Sequence, residues 1–319
     1  GHRIVNLQSV VKLAFAAGTV VGGVAVANAT IAHFSPKLEP WFDGELGTYF
    51  WRGHRVVYSA RGGDRPILLV HGIHAAASSF EWRRTVEPLS RHFRVTAIDL
   101  LGFGLSDRPA IDYSAETYIG LLMDFIRDVM QSSPSVVASS LSASYAVSLG
   151  FRAPSRIAGL VLVNPVGMDR LHTPVGPLES VLHGALDSPV VGQSLYNVLV
   201  SEASIRYFLR EQVYAHPEAI DKALVEQMYW TSHQPGARHA PAAFIGGALN
   251  CAIDEILPRL TVPTLVIAGA EARFGVAQGV DAISRLNPDV RVRTIGDAGL
   301  LPHDEQPGVF NDVVIQFLG

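Results

Sequence analysis

Residues 135–144 read Ser-Val-Val-Ala-Ser-Ser-Leu-Ser-Ala-Ser, and that segment leaves the chain few choices. Its apolar, β-branched start favours a strand, the small residues after it allow a tight reversal, and Tyr145-Ala-Val-Ser-Leu149 can continue as a helix. A turn of this kind lifts one side chain, here Ser140, to the tip of the strand. It needs small neighbours two places before and after, because the backbones crowd there, and Ala138 and Ser142 meet that need. The usual pattern is G-x-S-x-G, so Ala-Ser-Ser-Leu-Ser is a relaxed version. Taken alone, the segment is also what an ordinary serine-rich turn looks like. Two other runs read as buried strands: Pro66-Ile-Leu-Leu-Val70, which ends in His71-Gly72-Ile73, and Arg94-Val-Thr-Ala-Ile-Asp99, which leads into Leu100-Leu-Gly-Phe-Gly-Leu-Ser-Asp107.

In this order and spacing the segments resemble the α/β-hydrolase family, in its helical-cap branch of esterases, haloperoxidases and dehalogenases. The resemblance covers about residues 49–318 and rests on the HG turn, the D-x-x-G-x-G-x-S-D segment and the serine elbow. It implies a mostly parallel, eight-stranded sheet with helices on both faces, with Gly159–Asn164, Pro263–Gly269 and Arg291–Ile295 as its last strands. It also implies a nucleophile at Ser140 and an oxyanion hole built from the backbone N–H groups of Ile73 and Leu141.

The family's acid commonly follows the seventh strand in a G-x-x-D pattern, and its histidine stands in G-H-x-P-x-x-E-x-P. This chain has Gly269-Ala-Glu-Ala272 and Gly299-Leu-Leu-Pro-His-Asp-Glu-Gln-Pro307. The acid position is therefore Ala272 and the histidine position Leu300, while Gly299, Pro302, Glu305 and Pro307 fix the alignment. A serine hydroxyl needs a base to take its proton and return it to the leaving group, and in a comparable triad loss of the histidine costs on the order of 10⁶ in turnover. Substitutes exist in His303 as a base and Glu271 or Asp169 as an acid. The expectation is a catalytically inactive, membrane-anchored hydrolase-like subunit with a structural or ligand-binding role in a membrane complex. The alternative is an active membrane-bound serine hydrolase, of esterase or lipase type, using Ser140 with a non-standard base.

Leu13 to Ala32 is a run of twenty residues without a charge, the length a helix needs to cross a hydrocarbon core. A membrane anchor, a signal peptide ending near Ala27-Asn-Ala29 and a buried core helix are the competing readings. The first is carried forward: a single-pass helix within residues 1–34, in a bacterial inner membrane, with the side of the soluble domain undecided. Gly18 and Gly22 lie four apart on a face of small residues that would admit a partner helix from another membrane subunit. Residues 35–47 read as a linker, and 48–319 as the hydrolase-like domain.

A charge of −4 and a pI near 6.3 supply no basic field for nucleic acid. The one cysteine, Cys251, excludes an internal disulfide. His71-x-x-His74 has no acidic or cysteine partner at ligand spacing, so no metal is expected, and no cofactor is implied. Residues 168–250 read as a helical cap, with helical periodicity over Leu178–Leu186, Gly192–Val200, Ser204–Tyr214 and Pro217–Tyr229. Tyr207, Phe208, Tyr214, Met228, Tyr229 and Trp230 from the cap, with Phe103, Phe244 and Leu300, could line a dry pocket for a hydrophobic ligand or be plain packing.

Overall fold

The computed structural model describes residues 28, 31, 35–166, 191–273 and 275–319 of the chain. Eight strands form one sheet: β1 (Glu45–Trp51), β2 (His54–Gly62), β3 (Pro66–Val70), β4 (Arg94–Ile98), β5 (Ser135–Ser139), β6 (Gly159–Val163), β7 (Thr264–Gly269) and β8 (Arg291–Ile295). Their order is β1-β2-β4-β3-β5-β6-β7-β8, antiparallel from β1 to β4 and parallel from there on. The inner strands fall within one residue of the apolar runs in the sequence. At the front edge the domain begins at Glu45, a little before the expected Thr48, because β1 pairs along its whole length with β2.

The helices follow as α1 (Val86–Ser90), α2 (Ala115–Phe125), α3 (Ser142–Arg152), α4 (Val191–Leu199), α5 (Glu202–Phe208), α6 (Lys222–Ser232), α7 (His239–Ile245), α8 (Val276–Leu286), α9 (Pro302–Glu305) and α10 (Pro307–Leu318). The inner strands are apolar without alternation because both faces of the sheet are covered. Leu68, Val70, Val136, Ala138, Leu160 and Leu162 pack with Tyr118, Leu122 and Tyr145 of α2 and α3. Their neighbours along the strands, Ile67, Leu69, Val95, Val137 and Val161, pack on the other face with Trp82, Phe93 and Phe310.

β3 lies between β4 and β5, so the order of the strands reverses there, and such a reversal opens a crevice at their carboxyl ends. Val70 is level with Ala138. The turn after β3, carrying Gly72 and Ile73, and the turn after β5, carrying Ser140, therefore emerge side by side.

Helices α4 to α7 form the cap. The run expected from Gly192 to Val200 is α4, but the one from Ser204 is divided into α5 and a wider turn over Leu209–Val213. The one from Pro217 opens as a tight turn over Pro217–Ala219, and α6 begins only where Asp221 caps it by accepting the Leu224 N–H at 2.8 Å. Helix α7 was not anticipated, and Leu178–Leu186 lies outside the described residues. The uncharged run 13–32 also lies outside them apart from Asn28 and Ile31, so Gly18 and Gly22 are not described. Among the described residues no helix is long and apolar enough to cross a membrane.

Candidate active site

Ser140 has φ 53°, in the left-handed region that side chains rarely occupy. Its N–H donates to the Val163 carbonyl at 2.9 Å, which fixes the elbow to the end of β6. Two neighbours explain why the relaxed pattern still folds. The Ser142 hydroxyl donates to the His71 carbonyl at 2.6 Å, tying the elbow to the turn after β3. Gly72 leaves room, since a Cβ there would stand 3.3 Å from the Ser140 Cβ. His71 is itself held in place. Its Nε2 accepts the Leu100 N–H at 3.1 Å, so the ring proton belongs on Nδ1, 2.7 Å from the Gly72 carbonyl.

Around Ser140 the backbone presents donors. Ile73 and Leu141 are both 3% exposed, and among the described residues neither N–H donates a hydrogen bond. Buried N–H groups without an acceptor are rare. One follows Ser140 directly, and the other is in the turn after β3, whose Gly72 borders the Ser140 side chain.

At position 300 the backbone is fully tethered although the side chain is apolar. The Leu300 N–H donates to the Val213 carbonyl at 2.7 Å, and its carbonyl accepts from Asn164 at 2.9 Å. Glu305 accepts the N–H groups of Gly299 and Ala215 at 2.7 and 2.8 Å. The Leu300 side chain touches both the core cluster beneath α3 and the cap cluster of Ile205, Leu209, Tyr214 and Met228. Ala272 sits half-buried at the rim of that core. Neither residue can carry a proton. Glu271 is exposed, and Asp169 lies outside the described residues.

His303, the candidate substitute base, is fully buried. Its ring lies 4.4 Å from that of Trp82 and 5.4 Å from that of Phe310, centre to centre. Nε2 stands 3.2 Å from Glu81 Oε1, although the N–H is not aligned for a linear hydrogen bond. The other oxygen of Glu81 accepts the Gly72 N–H at 2.8 Å. Burial would raise this carboxyl, but the His303 ring, the Ser139 hydroxyl and the Gly72 N–H outweigh it and hold it down at about 2. The pair therefore braces the elbow from behind, and His303 does not hydrogen-bond Ser140.

Two residues here have surroundings that the sequence does not mark. Glu81 sits in no periodic pattern, and only its burial beside a histidine distant in the chain gives it weight. His74 was visible only as the second histidine of a spacing suited to metals. Its Nδ1 accepts the Ala76 N–H at 3.3 Å, and its ring lies 6.0 Å from Phe208 of the cap. Burial pushes this imidazole down to about 4, against the opposing pull of the Glu81 charge, so it is neutral at physiological pH.

The cap is fastened to the core beside the site. The Tyr196 hydroxyl donates to the Ala75 carbonyl at 2.9 Å. Arg83 grips Asp304 at 2.8 and 2.9 Å and Asp221 of the cap at 2.9 Å, and Tyr214 also donates to Asp304. Of the aromatics expected to line a pocket, Tyr214 packs with Leu300, whereas Tyr207 is 65% exposed and faces away. Its outward position on α5 follows from Ile205 and Leu209 taking the inner face.

A family model described as alpha/beta hydrolase matches residues 67–313. A 2-hydroxy-6-oxo-6-(2'-aminophenyl)hexa-2,4-dienoic acid hydrolase of Metapseudomonas resinovorans is 27% identical over 276 residues, covering 83% of this chain and 88% of the relative. Among solved structures, a serine hydrolase involved in carbazole degradation superposes with a TM-score of 0.72 at 22% identity, over 86% of this chain and 99% of that one. A membrane phospholipase A, a bacterial virulence factor, gives 0.68 at 21% identity over 98% and 96%. These relatives are hydrolases, and they overturn the expectation of an inactive subunit serving a membrane complex. That expectation rested on the side chains at Ala272 and Leu300, and the fold in which they sit is one the chain shares with these hydrolases.

Proposed function

The chain belongs to the alpha/beta hydrolase family, and on that footing we propose that it is an active serine hydrolase, held at a membrane by residues 13–32. Its substrate class is an acyl compound with an apolar acyl part. The observation that carries this reading is a strained Ser140 beside two buried residues, Leu141 next in the chain and Ile73 in the adjoining turn, whose N–H groups donate to nothing among the described residues. Strain and unmet donors both cost stability, and both are accounted for if an oxyanion forms there during the reaction. The apolar surfaces of Leu300, Tyr214 and Met228 supply a dry lining for the acyl part.

In this reading Ser140 Oγ attacks the carbonyl carbon and the oxyanion rests on the two N–H groups. The leaving group departs with the hydroxyl proton, which gives the acyl-enzyme, and water then cleaves it to the free acid. Neither neighbouring histidine is placed to act as the base: His303 is enclosed and faces Glu81, and His74 uses Nδ1 to accept the Ala76 N–H, which leaves its ring proton on Nε2. The anchor is supported by the length of the uncharged run.

A fluorophosphonate probe applied to the intact protein tests the reading. Labelling that disappears in Ser140→Ala is expected. Absence of labelling in the unaltered chain, or labelling that survives Ser140→Ala, sinks it.

A further inference from the structure

The end of the uncharged run is fastened to the cap. Asn28, which lies within that run, donates from Nδ2 to Ser194 Oγ at 2.9 Å and accepts at Oδ1 from Asn197 at 3.0 Å. Both partners are on α4. The chain then stays on the cap as it leaves the run. Ser35 donates to the His233 carbonyl at 3.0 Å, and Gln234 donates to the Pro36 carbonyl at 2.9 Å, both at the end of α6.

The residues next to that fastening are unusual for a water-facing surface. Val198 and Leu199 follow Asn197 directly and are 66% and 46% exposed. Tyr207 on α5 is 65% exposed, and Ile31, one helical turn beyond Asn28, is also exposed. The Ser204 hydroxyl of α5 donates to the Val198 carbonyl at 2.9 Å, so the two helices meet at this corner. These four are half of the large apolar side chains exposed among the described residues, and they gather where the uncharged run ends. Arg206, paired with Glu202 at 2.8 Å, precedes Tyr207 on α5, and Arg210 follows in the wider turn. Aliphatic side chains with an adjoining tyrosine and arginines are the composition of a surface lying between hydrocarbon and headgroups.

We propose that the α4–α5 corner of the cap rests on the surface of a lipid bilayer, with Val198, Leu199 and Tyr207 in contact with lipid. The inference depends on the reading that residues 13–32 anchor the chain. It follows from position: a bilayer that holds the run up to Asn28 has its surface close to Asn197, and the next two residues point outward and are apolar. Lipid is the occupant because the chain itself enters the bilayer beside the patch.

The full chain carrying Cys251→Ala gives a background for single cysteines at Val198→Cys, Leu199→Cys and, as a control on α10, Val309→Cys, which replaces a side chain 51% exposed. Each is labelled with an environment-sensitive fluorophore and mixed with phosphatidylcholine–phosphatidylglycerol vesicles containing brominated phosphatidylcholine. Labels at 198 and 199 are expected to shift to the blue and to be quenched several-fold more than the label at 309. If the chain floats with the vesicles but the labels at 198 and 199 are quenched no more than the control, the docking is wrong while the anchor stands. If the chain does not float with the vesicles, the anchor is wrong and the docking falls with it.

Discussion

The side-chain amide of Asn164 holds the carbonyl of Leu300 at 2.9 Å, so the last residue of one strand end sets the backbone of a loop more than a hundred residues away. The same amide reaches the Gly299 carbonyl at 3.0 Å, and its oxygen accepts the Gly269 N–H at 2.9 Å. The backbone at position 300 is thus held by groups other than its own side chain.

Leu300→His should therefore fold normally and raise turnover of a p-nitrophenyl acyl ester by about 10²-fold, the usual contribution of a positioned base. Adding Ala272→Asp should raise it again by orienting the new imidazole. A steady-state assay with circular dichroism checks both. An unchanged rate at an unchanged melting temperature would mean that a side chain at 300 does not reach Ser140.

Ser140→Gly should be more stable than the parent and inactive. A non-glycine residue in the left-handed region costs about 1 kcal/mol, and glycine removes that strain. Thermal unfolding and probe labelling measured on the same sample separate the two effects. A fall in melting temperature would show that the serine side chain contributes more by packing than its backbone costs.

Arg83→Met should destabilise the fold by about 3 kcal/mol, because it leaves the nearly enclosed Asp304 carboxylate without its two-point partner. The double change Arg83→Met with Asp304→Leu should recover part of that loss, since Asp304 is then no longer a buried carboxylate left with only Arg84, at 3.3 Å, and Tyr214. Urea unfolding of the two variants is the measurement, and equal losses would contradict the account.

Acid should weaken the protein in two stages. His74 and Glu81 both bind protons more readily in the unfolded chain, where their values are near 6.5 and 4.5, than in the folded one, where they are about 4 and about 2. The stability each contributes is complete above its unfolded value and is lost as pH falls, from 6.5 towards 4 for His74 and from 4.5 towards 2 for Glu81. His74→Gln should flatten the first stage and Glu81→Gln the second, as read from urea midpoints across pH.

Much of the fold was legible because strands buried on both faces spell themselves out as short apolar runs, as Pro66–Val70 and Gly159–Val163 do. The elbow was legible because sterics near Ser140 demand small residues at Ala138 and Ser142. What escaped the sequence was set by distance in the chain. Glu81 gains its meaning from His303 and Gly72, and Arg83 from Asp221 and Asp304, contacts that no local pattern encodes. The split of the cap helices after Phe208 was hidden for a different reason: the apolar spacing continues through Leu209–Val213 while the backbone widens.

The tethering of residue 300 by Asn164, Val213 and, through Gly299, Glu305 has a consequence for descent. Codons for histidine and leucine can differ by a single base, and the loop that displays the residue is secured by groups that do not depend on it. A lineage with this scaffold can cross between an imidazole and an aliphatic side chain in one mutational step, in either direction, without passing through an unfolded ancestor.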